Sequence, residues 1–62
     1  MATAAQTFQQ TWRIGRRVQE VATPHRKGSV RVVQGTGPNA VIVVNLDGHP
    51  PASFHPAQLT PL

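Results

Sequence analysis

The chain has no cysteine among its 62 residues. That excludes disulfide staples and thiolate metal sites, and it fits a reducing compartment such as the cytoplasm. Acids are nearly missing as well: Glu20 and Asp47 stand against six Arg and Lys, for a formal charge of +4. Two carboxylates give little material for paired-carboxylate catalysis. Aromatics are limited to Phe8, Trp12 and Phe54, so a single-strand binder built on several stacking rings is not expected. No apolar run approaches the ~20 residues of a membrane helix. Met1–Gln10 lacks both the cationic and the apolar region of a secretory signal. The expectation is a protein without a membrane partner.

The length is the next constraint. One domain at most fits, and a chain this short buries only about 60% of the surface its unfolded form exposes. Without disulfides, association between copies becomes a natural way to gain burial.

Residues 1–11 are small and polar apart from Phe8. They read as a flexible tail, with a short helix as the alternative because Ala and Gln tolerate helices. The folded domain is expected over residues 12–62. Gly15 permits a turn before a strand at about Arg16–Ala22. Thr23-Pro24-His25-Arg26-Lys27 reads as a hairpin loop. Gly28–Gln34 is a second strand rich in β-branched residues. Gly35-Thr36-Gly37-Pro38-Asn39 is a turn; it lacks the lysine and the opening helix of a phosphate loop. Ala40–Leu46 is the strongest strand signal and the expected central strand. Asp47-Gly48 suits a tight turn. Pro50 and Pro51 cannot lie inside a ladder. Ala52–His55 is a short strand, Pro56–Leu59 a single 3₁₀ turn, and Thr60–Leu62 a short edge strand. The fold class is therefore all-β: a small barrel of four or five short antiparallel strands, since closure removes exposed edges.

Gly15-x-x-Val18, Gly28-x-Val30-x-x-Val33, the glycine-rich loop, the apolar strand and the Pro56-x-x-Leu59 turn together resemble the Src-homology-3-like small barrel. The KOW and Tudor-type versions are the most similar, and the likeness covers roughly residues 12–62. It implies a fold, because this barrel hosts many unrelated roles. Trp12-x-x-Gly15-x-Arg17-Val18 and Ser53-Phe54-His55-Pro56 are also similar in layout to the type II dihydrofolate reductases, short barrels that work as tetramers around a pore. That family's Val-Gln-Ile-Tyr segment is here Ala52-Ser53-Phe54-His55, and its pore lysine falls on Glu20. The resemblance implies a barrel, and a tetramer in the family manner, while both departures argue against the reductase activity.

All six cations fall between Arg13 and Arg31. A basic segment of this kind points to an acidic partner, nucleic acid first. Closing the first hairpin around Thr23–Lys27 sets Gln19 opposite Arg31. Arg17 and Arg31 then share an outward face, with Arg26 and Lys27 projecting from the loop. Arginine forks suit phosphate oxygens. The expected nucleic-acid contacts are Arg17, Arg26, Lys27 and Arg31, with Arg13 and Arg16 nearby. If Ile42, Val44 and Leu46 fill the interior, Val41 and Val43 point outward and mark an interface with a protein partner or a second copy. His25, His49 and His55 lack ligand-like spacing, so no metal site is expected. Ser53 and His55 share a strand face, with Asp47 upstream, but no nucleophile elbow supports catalysis. The expected protein is a non-enzymatic binding module without a cofactor.

Overall fold

The computed structural model describes residues 4–62. A helix, α1 (Ala4–Thr11), leads into five strands: β1 (Arg17–Glu20), β2 (Lys27–Gln34), β3 (Val41–Leu46), β4 (Ala52–Phe54) and β5 (Leu59–Pro61). A 3₁₀ turn, Pro56–Gln58, joins the last two. The strands form one antiparallel sheet in the order β4-β3-β2-β1-β5. The all-β reading holds, but β3, expected to be central, lies one strand in from the edge, and the long β2 takes the centre. No described helix is long and apolar enough to cross a membrane.

Chain length forces this sheet to curl. In a flat five-stranded sheet the outer strands lie about 19 Å apart, at about 4.8 Å per step. Here β4 and β5 are the outer strands, yet only residues 55–58 connect them. Fully stretched, the five steps from Phe54 to Leu59 would reach at most about 18 Å. Three of those linking residues are wound into the 3₁₀ turn, where each advances only about 2 Å. The sheet must therefore bend its edges together, giving a small barrel-like domain. Gln58 fixes the turn by accepting the His55 backbone N–H on its side-chain Oε1 at 2.8 Å. Proline guards both edges: Pro50-Pro51 precede β4, and Pro61 ends β5.

The curled sheet encloses the alternate residues of each strand. Val18, Val30, Ile42 and Val44 are the most completely buried, joined by Leu46, Leu59 and Trp12. Full burial of such a side chain stabilises by about 1.5–3 kcal/mol. Gly28 sits in the same inward row, between Val18 and Leu46. A Cβ there would collide with the Asn45 carbonyl oxygen, so only glycine allows β2 and β3 to approach this closely.

Two further readings need correction. Residues 4–11 form the short helix that was the alternative to a flexible tail; residues 1–3 lie outside the described part. Phe8 and Trp12, one helical turn apart, give this segment an apolar side. Their rings are 6.5 Å apart and tilted, Trp12 donates its backbone N–H to Phe8 at 3.0 Å, and Trp12 is buried in the core. An eight-residue helix is marginal alone, and this tertiary anchor is what the composition of the segment did not reveal. The second correction is register. Gln19 pairs with Lys27, not Arg31, and Arg17 pairs with Ser29. The hairpin closes earlier, with Glu20 N–H donating to Arg26 O at 3.1 Å. Lys27 is therefore the first residue of β2 and not part of the loop.

Candidate nucleic-acid interface

The register step is even, so the faces are unchanged. Arg17 and Gln19 on β1 point outward, as do Lys27, Ser29 and Arg31 on β2 and Asn45 on β3. Arg17–Ser29–Asn45 form one cross-strand row, and Gln19–Lys27 begin the next. Of the six cations, Arg17, Lys27 and Arg31 share this face. It also presents amide and hydroxyl groups that can hydrogen-bond to phosphate or sugar.

Arg17 is not free on this face. Its Nη1 donates to Asp47 Oδ1 at 3.1 Å and to Ser29 Oγ at 3.2 Å, and its Nη2 donates to Asp47 Oδ2. The hydrogen bond from Arg17 holds the Asp47 carboxyl below its ordinary value, and the same bond raises the Arg17 guanidinium. Both side chains are well exposed, where such a pair contributes little stability. Sequence reading placed Asp47 in a turn and missed that the curl of β3 brings it beside Arg17.

The other cations separate from the face. Arg26 turns toward Glu20, with Nη1 3.7 Å from Oε2. Arg16 donates Nε to the Leu62 carbonyl at 3.0 Å, against the β1–β5 edge. Arg13 is exposed and lines a cleft of about 230 Å³ with Gln9, Trp12, Ile14, Val32 and Val33. The loop pair expected from Arg26 and Lys27 is thus divided between two surfaces.

A β-bulge between Val30 and Val32 breaks the strict alternation of β2. Val30 points inward, Arg31 and Val32 are both exposed, and Val33 turns inward. Val32 thereby joins Val43 as an outward cross-strand pair, with Val41 opposite Gln34 on the same side. Val41 and Val43 are half-buried, while Val32 is 38% and the nearby Ile14 73% exposed. Reading alternation alone missed Val32; the signal was the Val30-Arg31-Val32-Val33 run itself, which no two-residue period can place.

His25, His49 and His55 lie on three different segments. Among the described residues no three His, Asp or Glu side chains come together as a metal would need. His55 Nδ1 is 2.9 Å from the Ala40 carbonyl oxygen, a contact that holds the ring in place. Ser53 is exposed on the same strand face, and Asp47 is engaged with Arg17 rather than with either of them. The chain matches no protein family, no curated protein and no solved structure.

Proposed function

We propose that the chain is a non-enzymatic Src-homology-3-like module of the cytoplasm that holds nucleic acid through the outward face of β1 and β2. The supporting observation is the placement of Arg17, Lys27 and Arg31 on one face, beside Gln19, Ser29 and Asn45, with Asp47 the single acid there. Cations in this arrangement bind the phosphate backbone and take register from it without reading sequence. Affinity then follows counterion release. Two to three phosphate contacts predict a log–log salt slope of about −2 to −3. Sedimentation of the chain with a short labelled duplex at low and moderate salt tests this. Co-sedimentation that fades as salt rises supports the reading, and a chain indifferent to the duplex at low salt defeats it.

A second reading has its own observation. Val32, Val41 and Val43 form an apolar outer patch on the far half of β2–β3, suited to a protein partner or to self-association. The same sedimentation run detects it as a salt-insensitive oligomer.

A further inference from the structure

Glu20 stands at a core position. Along β1 the inward residues are Val18 and Glu20, and Glu20 is only 8% exposed. Its neighbour across the ladder, Leu59, is a core residue. The Glu20 Oε2 atom is buried and has no hydrogen-bond partner. Arg26 Nη1, at 3.7 Å, is near enough to attract it and too far to bond it. A buried acceptor left unpaired is costly, so the site has a vacant need for a donor. Glu20 also lines a cleft of about 200 Å³ with Val21, Ala22, Phe54, Ala57 and Gln58. The walls are apolar apart from Gln58 and the acid, and one of them is aromatic. Val21, 54% exposed, lies at this cleft with no cover of its own.

We propose that this cleft takes one unstacked nucleobase whose edge presents donors, guanine above all, with Glu20 as the acceptor. The proposal rests on the nucleic-acid reading above and deepens it by naming what the module selects. A carboxylate offers acceptors only. Guanine presents N1–H and the 2-amino group side by side, a match for the two carboxylate oxygens once Arg26, the cation beside the buried Oε2, moves aside. Adenine and cytosine offer one exocyclic amine each. Uracil and thymine offer a single N–H flanked by two carbonyl oxygens, which the carboxylate repels. Phe54 supplies the ring against which an unstacked base packs, the usual partner of carboxylate or amide edge contacts in single-stranded recognition. Arg26, whose side chain is 41% exposed, swings from Glu20 to the phosphate of the same nucleotide. The cleft, on the Arg26 side and not on the Arg17–Lys27–Arg31 face, thus adds base choice to a module whose other contacts only grip the backbone.

Two arms test this separately from the phosphate face. In the first, uncharged guanosine and uridine are titrated into the labelled chain and followed by amide NMR. Guanosine should shift Glu20, Val21, Ala22 and Ala57, and uridine should not. Glu20→Gln should abolish the guanosine shifts, and Ala57→Leu, at an exposed position on the 3₁₀ turn, should block the cleft without touching the core. Equal response to both nucleosides, no response to either, or a response to n-butylammonium in their place overturns the base proposal, the last by assigning the cleft to a basic side chain of a protein partner. In the second arm, a thymidine oligomer with one central guanine should bind about tenfold more tightly than the all-thymidine oligomer, near the low end for a bidentate base contact. Equal, salt-dependent binding of both oligomers removes the base site and leaves the phosphate face standing. Guanosine-selective shifts without binding of either oligomer do the reverse.

Discussion

The ribbon formed by β2 and β3 has two halves that meet at the Val30–Val32 bulge, and their outer faces differ. In the near half, Lys27, Ser29 and Asn45 point outward, with Arg17 alongside on β1. In the far half, Val32, Val41 and Val43 point outward. Inside, the near half holds Gly28, where β2 and β3 approach closely, with Val30, Val44 and Leu46, and the far half holds Ile42 and Val33. One extra residue at Arg31 changes which side of β2 each later residue faces. The same ribbon therefore offers a wet, basic surface at one end and an apolar surface at the other. Two kinds of association can be served by separate ends of a domain too small for separate sheets.

The near half depends on Gly28, and breaking it there should give the largest effect. Gly28→Val places side-chain atoms into the Asn45 carbonyl and Val44. β2 and β3 must separate or the chain must fail to close. A loss of about 3 kcal/mol or more is expected, at the upper end of overpacking costs. In a domain of this size that lowers the Tm by roughly 12–24 °C, at about 4–8 °C per kcal/mol, or prevents folding. Circular dichroism on heating measures it. In the far half, Ile42→Ala leaves a cavity instead of a clash and should cost about 2–4 kcal/mol. If Gly28→Val were the milder change, the near half would not depend on the close approach of the strands.

The strand pattern was legible in the sequence because inward and outward residues alternate cleanly along β1 and β3. Arg17 falls outward and Ile42, Val44 and Leu46 inward, as expected. Register was not readable. The hairpin loop alone allows more than one closure, and the pairing of Gln19 with Lys27 is a property of the folded sheet. The helix was legible only as an alternative to a flexible tail, because Phe8 and Trp12 become an anchor only when the core receives Trp12. For the candidate site, the cations were identified by charge, but their division was not. Glu20 takes Arg26 within the same hairpin, while Asp47 takes Arg17 from 30 residues away.

The basic half can be sharpened by removing its two unopposed cations. Lys27→Ala with Arg31→Ala should make the salt slope shallower by about 2 units and weaken duplex binding roughly fiftyfold at 0.1 M salt. Thermal stability should hardly move, since both are exposed surface positions. Val32→Lys works on the other half. It should abolish any salt-insensitive oligomer and leave the salt slope of nucleic-acid binding unreduced, with stability within about 0.5 kcal/mol of the parent. An oligomer that survives Val32→Lys assigns self-association to another surface.

The smallest effect lies at the acid placed among the cations. Asp47 engages Arg17 through both carboxylate oxygens, so Arg17 is partly withheld from phosphate at neutral pH. Asp47→Asn keeps the side-chain shape and removes the charge. The freed Arg17 should steepen the salt slope by up to about 0.9, the contribution of one phosphate contact, and tighten binding a few-fold. The pair also has a pH signature. Arg17 depresses the Asp47 carboxyl from its ordinary value, so its contribution to folding is complete above the unfolded-state value of about 3.9 and is lost as pH falls through the lowered folded-state value. The Tm difference between parent and Asp47→Asn should be constant above about pH 5 and shrink in acid. Because both side chains are well exposed, that difference stays small at every pH. The change in salt slope is therefore the more sensitive readout, and an unchanged slope in Asp47→Asn would mean that Arg17 contacts no phosphate even when released.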